Sequence, residues 1–574
     1  MTVAISEETM DLARKLALKN AIDYGSAKEG AIISKVLARH PELKPYMEEL
    51  SRAVKAVVTK INLMGKKELE SEYSRYAEEF ESLEKEKAEK SSRHRFGIEG
   101  AEKGKFVTRF PPEPSGYMHI GHAKPLFIED ELRHAYDGKL FLYFDDTNPD
   151  NEKQEFVDAF IEDLKWLGLS FDREYYASDS LEMLYGYALE AIRRKGAYVC
   201  TCSGEETKKN RLSGIACRHK AQQARENEEL WKKMLEGSFG DGGAILRWNG
   251  DMKAANTSMR DPTLFRIKHA VHYRQGEKYF VWPNYDFCTP VIDSANGITD
   301  VIRSKEYEMR DELHLAILDL LGLRKPRITS ISRLEIANNV TSKRKIRSMI
   351  AEGLITGWDD PRLVTIRALR RRGITAQAIR EFALGSGMGK SESIADIELL
   401  LSMNRKIVDA SAKRLFFIEK PMEMEVSGTS GIKVSMKLYP GNGNDYRNYT
   451  VKGELFINAM DGKVLHKGDT VRLKDAFDVE VYDVGERVTA GYKGDNPGKL
   501  SRIQWITRDD AVKCELYIVG NLLKGEEFDR DSIKRISGYA EGYASGLRRG
   551  DVVQFEKLGY FRLDDKEKMA FISL

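Results

Sequence analysis

Long hydrophobic runs are missing from this chain of 574 residues. None approaches the roughly 20 consecutive apolar residues that span a bilayer, so no membrane helix is expected. The opening segment, MTVAISEETMDLARKLALKN, carries acids and lacks the apolar centre of a signal peptide, which predicts a cytosolic protein. Cysteine is scarce. Five residues in 574 cannot form a disulfide framework, and a cytosolic compartment would not favour one. A surplus of either charge is missing too: 92 Lys+Arg stand against 90 Asp+Glu, a formal net charge of +2 that argues neither for nor against a polyanionic partner.

What is present is the composition of a globular protein, 41% hydrophobic and 32% charged. The length exceeds a single core, and about three to four domains are expected. The charge is unevenly spread. Leu321 to Lys420 holds 20 Lys+Arg and 10 Asp+Glu and includes TSKRKIR and RALRRRG. Such a block is either the electrostatic footprint of a phosphate-rich ligand or a solvated helical face.

Residues 1–98 read as a helical appendix, with Leu69, Tyr73, Tyr76, Phe80 and Leu83 on a 3–4 spacing that predicts one apolar stripe. SSRHRFGIEGAEKGK reads as a linker. From Phe106 the short apolar runs KFVTRF and KLFLYFDD alternate with the helical patterns IGHAKPLFIEDELRHAY and EFVDAFIEDLKWLGL, which predicts a parallel α/β sheet. The expected architecture is multidomain, α/β plus all-β. Residues 99–198 and 285–345 are the halves of a Rossmann-type domain, interrupted by an insertion over 199–284. Helices dominate 346–414, and 415–574 reads as antiparallel β-barrels with turn residues between short strands. KGDTVRLKD and RGDVVQFEKLGYFRLDD look alike, which suggests two related barrel halves.

TRFPPEPSGYMHIGHAKPLF places His119 and His122 three residues apart in the first turn of a helix, directly after a rigid loop. Helix N-termini carry free N–H groups and partial positive charge, which suits them to phosphate. In the loop, Gly116 permits a tight turn. Gly121 inside the helix start costs roughly 1 kcal/mol relative to Ala, a cost expected where a ligand approaches the backbone. The loop is not G-x-G-x-x-G, so a nicotinamide cofactor is not indicated. VTSKRKIRSM then sets Ser342, Lys343, Arg344 and Lys345 on what reads as a mobile polar loop, where cations can neutralise a nucleotide's phosphates.

HIGH followed by an S-K-R-K loop on an interrupted α/β sheet resembles a class I aminoacyl-tRNA synthetase. RFPPEPSGYMHIGHAKPL, FDDTNP, YDF, SRLE and VQFEKLGYFRLDD narrow the resemblance to the glutamyl/glutaminyl-tRNA synthetase family in its archaeal-type form, over residues 104–574. Val340 and Thr341 stand where the generic K-M-S-K-S motif has Lys and Met. The resemblance implies ATP with Mg2+ as a substrate, an aminoacyl-adenylate intermediate, and transfer to the 3' end of a tRNA. It casts His119, His122 and Lys343 as the catalytic groups. Pro114, Ser115, Gly116, Gly121, Arg333, Leu334, Ser342 and Lys345 would hold ATP, and Arg109, Asp145 and Tyr285 the amino acid. The insertion would bind the acceptor end of the tRNA, the 346–414 helices its stem, and the barrels its anticodon. A monomer is expected.

Arg303 sits where the glutamyl branch of that family carries a cation, and Ile328 where the glutaminyl branch has a polar amide. A buried guanidinium needs a counter-charge, which a γ-carboxylate supplies and a carboxamide does not. L-glutamate and tRNA(Glu) are therefore the expected substrates, with tRNA(Gln) as a second acceptor left open. Glutaminyl-tRNA synthetase is the alternative, and a small-metabolite nucleotidyltransferase with HIGH a more distant one. Cys200-x-Cys202, fourteen residues, and Cys217-x-His219 make a complete tetrahedral set for a structural Zn2+, or else three reduced buried thiols and a surface imidazole.

Overall fold

The structure, a computed structural model, describes residues 6–76, 96–440, 445–496 and 498–574. The chain divides into two compact units, Met1–Gly97 and Ile98–Leu574. The described part of the first holds the α-helices Glu7–Tyr24, Glu29–Arg39, Met47–Asn62 and Lys66–Ser74. Ser6 caps the first of these by accepting the Thr9 N–H. Ala13, Ala17 and Ala21, four residues apart, form a narrow stripe that shares a core with Val54, Val58 and Ile61. Leu69 and Tyr76 pack against that core, while Phe80 and Leu83 lie outside the described residues.

In the second unit, Val107–Phe110, Lys139–Phe144 and Arg173–Tyr176 form one parallel ladder. Asp300–Ser304 and Arg327–Ile331 form another. The two meet at Thr299, whose N–H donates to the Val107 carbonyl at 2.9 Å and whose hydroxyl accepts the Val107 N–H at 2.7 Å. Counted along the chain, the five strands run in the spatial order 3-2-1-4-5. That order reverses between the first and fourth strands, the point at which open α/β sheets place ligands beyond their carboxyl ends. Burial on both faces explains the unbroken apolar run of Leu140–Phe144.

A four-stranded antiparallel sheet, Ala197–Cys200, Ile245–Trp248, Thr263–Ile267 and Val281–Pro283, interrupts this pattern. Helices Ile366–Arg372, Ala376–Gly385 and Ile397–Val408 follow the parallel sheet. They do not have a core of their own, because Leu369, Ile379, Phe382 and Leu400 pack in one cluster with Ile120, Phe127 and Val157 of the sheet's helices. The boundary drawn at residue 346 thus separates two topologies but not two cores.

The C-terminal region is two seven-stranded sheets. One joins Lys413–Leu415 and Phe417–Ile418 to strands from Val512 to Ser573, and the other lies within Pro421–Thr507. They are antiparallel-rich, near-closed barrels rather than purely antiparallel ones. Lys413–Leu415 runs parallel to Val553–Phe555, and Met424–Ser427 parallel to Val488–Gly491. Such pairings join chain-distant strands and cover sheet edges that would otherwise stay unpaired. The likeness between the two KGD and RGD segments has a structural counterpart. Gly468 donates to Val481 and Val481 back to Asp469, as Gly550 donates to Leu563 and Leu563 back to Asp551. Among the described residues, no helix is long and apolar enough to cross a membrane.

Candidate active site

Beyond strand Val107–Phe110 the chain passes Pro111 and Pro112 and turns into the helix Ile120–Ala135. A cleft of about 480 Å³ opens at this switch point. A smaller lobe of about 220 Å³ adjoins it, and His122, Pro125, Ser304 and Tyr307 border both.

His119 is the N-cap of that helix rather than a first-turn residue. Its Nδ1 accepts the Gly121 N–H at 3.1 Å, and His122 Nδ1 accepts the His119 N–H at 3.2 Å. With both Nδ1 atoms accepting, each neutral ring keeps its proton on Nε2 and offers an Nε2–H donor. Burial, then the charges of Lys343 and Arg333, push His119 down to about 3. Burial, then His119 and Lys343, hold His122 well below the imidazole range. The ring centroids are 3.9 Å apart, a distance at which two imidazolium ions would repel. Gly121 was expected to make room for a ligand. It makes room first for the cap, because a Cβ there would lie 2.8 Å from His119 Cε1.

Lys343 does not sit on a mobile loop. Ser342 caps the helix Lys343–Ala351, and Lys343 opens it. The Lys343 ammonium donates to Ser115 Oγ at 2.6 Å and to the Glu113 carbonyl at 3.1 Å, and burial lowers its pKa. Arg347 donates to the Ser115 carbonyl at 2.5 Å. Gly116 adopts no positive φ. Its bare Cα instead admits the lysine stem, since a Cβ would come within 3.0 Å of Lys343 Cδ. Of the residues expected to hold ATP, Gly121, Arg333 and Leu334 line the smaller lobe. Arg333 there pairs with Glu306 at 2.8 Å. Pro114, Ser115 and Gly116 are buried, Ser342 and Lys345 are exposed, and none of these five lines either lobe.

Arg109, Asp145, Tyr285 and Arg303 all line the larger lobe, as do His122 and Lys343. Arg109 is 1% exposed, and its Nε donates to both carboxylate oxygens of Asp293, at 2.9 and 3.1 Å. Burial works against its charge, but Asp293 outweighs burial and holds Arg109 above its usual range. Arg303 donates to the Tyr285 hydroxyl at 3.1 Å and pairs with Asp311. By sequence, this guanidinium is expected to await a substrate carboxylate. The chain itself supplies its counter-charge. Asp145 is pushed up to about 7 by burial and then by Asp146 and Glu113, and its Oδ1 has no partner among the described residues.

Apart from the cleft, Cys200, Cys202, Cys217 and His219 are all buried, with one ligand atom from each within 4.8 Å of the others. Cys200 Sγ and Cys217 Sγ lie 3.8 Å apart, and tetrahedral zinc with Zn–S of about 2.3 Å sets two sulfurs about 3.8 Å apart. Thr201 Oγ1 is 3.0 Å from His219 Nε2, while His219 Nδ1 faces Cys202 Sγ at 3.5 Å. Arg247, fully buried, points Nη1 at both Cys200 and Cys217 sulfurs from 3.9 Å. The nearby Asp261 carboxylate is taken by Lys220 at 2.9 Å and the Tyr198 hydroxyl at 2.8 Å, so it is shared out among other donors.

A family model described as tRNA synthetases class I (E and Q), catalytic domain, matches residues 105–409. Two models for the anticodon-binding domain of the same group match 412–494 and 502–564. The chain is 38% identical over 574 residues to a glutamate–tRNA ligase of Nitrosopumilus maritimus, covering 99% of this chain and 100% of that one. It is 38% identical over 585 residues to a glutamate–tRNA ligase of Pyrococcus furiosus, covering 99% of both. The chain belongs to the class I tRNA synthetases of the E and Q group. Among solved structures, the glutamate-tRNA synthetase of Elizabethkingia anophelis superposes with a TM-score of 0.37 at 18% identity, over 53% of this chain and 70% of that one.

Several residues of this synthetase's cleft escaped the sequence reading. Glu129 had a legible signal, since His122, Pro125 and Glu129 fall at helical intervals on one face, and all three line the cleft. Asp293 and Asp311 had none, because each meets its arginine only through the fold.

Proposed function

We propose that this synthetase activates L-glutamate with ATP and transfers it to the 3' end of tRNA(Glu). The observation that carries the reading is one continuous two-lobed cleft at the switch point. The residues that this family uses on the amino acid converge on its larger lobe, with His122 where the two lobes meet and His119 on the smaller lobe. The substrate's α-carboxylate oxygen attacks the α-phosphorus of ATP, and pyrophosphate leaves. A ribose hydroxyl of the tRNA end then attacks the adenylate's carbonyl carbon, and AMP leaves. Neither step needs a protein nucleophile. Charge builds on the phosphorus oxygens, and the Nε2–H donors of His119 and His122 and the Lys343 ammonium are the groups held ready to stabilise it. Magnesium arrives with the triphosphate and neutralises part of its charge. Ionised Asp145 receives the α-ammonium, and Arg109 and Arg303 receive the side chain.

Cys200, Cys202, Cys217 and His219 would hold a structural zinc. Three thiolates and a neutral imidazole around Zn2+ carry a net charge of −1, and Arg247 supplies an opposite charge that is otherwise costly to bury. The reading extends to tRNA(Gln), since the C-terminal barrels are of the type that the resemblance shares with glutaminyl enzymes. The central test supplies the full chain with ATP, tRNA(Glu) and either labelled glutamate or labelled glutamine. Glutamyl-tRNA is the expected product. Charging with glutamine alone would overturn the reading.

A further inference from the structure

The larger lobe holds an acid without a partner. Glu129 is 0% exposed, borders the lobe beside Arg109, and has no hydrogen-bond partner on either carboxyl oxygen among the described residues. The charged groups that act on it are Arg109 and Asp293. They are already committed to each other through Arg109 Nε, while Arg109 Nη1 is buried and has no partner among the described residues. An ionised carboxylate in a dry site with no donor is costly, so the neutral acid is the form this geometry favours. Burial accordingly holds Glu129 well above the usual carboxylate range, with Arg109 opposing it only in part.

Glu129 bears on how the lobe receives a substrate carboxylate. Arg109 and Arg303 both have carboxylates of their own, Asp293 and Asp311, so neither is an uncompensated charge waiting for an acid. An ionised Glu129 would repel a γ-carboxylate. A neutral one offers it an O–H donor, two carboxyl groups then sharing one proton. We propose that Glu129 contacts the amino-acid substrate directly, donating its carboxyl proton as a hydrogen bond to the side-chain carboxylate beside Arg109. This rests on the glutamate reading and deepens it.

The test compares Glu129→Gln, which keeps a neutral donor, with Glu129→Leu, which keeps neutrality and removes the donor. Glu129→Ala replaces the leucine variant if its melting curve shows it does not fold. Charging of tRNA(Glu) is followed against glutamate and against ATP. The leucine variant should raise KM for glutamate about tenfold to a hundredfold, the loss of one hydrogen bond to a charged group. The glutamine variant should stay within about threefold of wild type, and KM for ATP should not move in either. If glutamine raises KM as much as leucine does, Glu129 acts ionised and the proposal falls. If leucine leaves KM unchanged, there is no contact and it also falls. Failure of the wild-type chain to charge glutamate at all would instead remove the underlying glutamate reading.

Discussion

At the scale of single residues, the site is set by burial acting on charge. The two histidines illustrate it: their Nδ1 atoms are occupied by backbone N–H groups, and burial keeps both rings neutral, so their hydrogen-bonding roles do not change near neutral pH. Among the groups assigned to the amino acid, Asp145 is pushed by burial into that range, to about 7. It is ionised above that value and protonated below it, and only the ionised form pairs with the substrate ammonium. Because kcat/KM reports groups of the free enzyme, kcat/KM for glutamate should fall about tenfold per pH unit below about 7. Asp145→Asn should lower kcat/KM throughout and abolish that limb. A pH profile of charging on both proteins checks it. A wild-type profile that is flat from pH 5 to 8 would contradict the assignment of Asp145.

At the scale of elements, glycines and caps do the positioning. Gly116 and Gly121 look alike in the sequence as concessions to a turn and to a ligand. In the fold they give space to Lys343 and to His119 respectively, which is how a loop and two helix starts are brought into register. The strand end at Cys200 and the turn that carries His219 meet in the Cys200, Cys202, Cys217 and His219 cluster. If that cluster holds zinc, the purified chain should contain one equivalent, and Cys202→Ser should lose it and melt at a lower temperature. Arg247→Met should weaken zinc retention against a chelator about tenfold to a hundredfold, as loss of a group supporting the ligands does. Chelator resistance equal to wild type would show that Arg247 does not serve as the counter-charge.

At the scale of the whole molecule, part of the basic block between Leu321 and Lys420 is engaged in ion pairs within the chain. Arg367 and Arg370 pair with Glu162, Arg380 with Asp130, Arg327 with Asp300 and Arg371 with Asp564. These acids come from the sheet domain and the C-terminal barrel, so part of the local excess ties elements together. Arg344 and Lys345 remain exposed. The proposed second acceptor is tested at this scale. Purified tRNA(Glu) and tRNA(Gln), each offered with labelled glutamate, should both be charged. Charging of tRNA(Glu) alone would leave the glutamate pocket intact and remove the second acceptor.

Much of this was legible in the one-dimensional chain. The alternation of short apolar runs with amphipathic helices specifies a parallel sheet because hydrophobic period follows secondary structure directly. The helix-start histidines, the S-K-R-K segment and the Cys/His spacing could be read because their ligand chemistry depends on local residue identity. What only the tertiary structure decided are the relations between residues far apart in the chain: the 3-2-1-4-5 strand order, the Lys343–Ser115 contact, and the carboxylates that answer Arg109 and Arg303. Charge balance in a dry site is a property of the neighbourhood, and a neighbourhood assembled from separate strands and helices leaves no periodic trace in the sequence. The buried Glu129 that borders the cleft, without a hydrogen-bond partner among the described residues, is its clearest product.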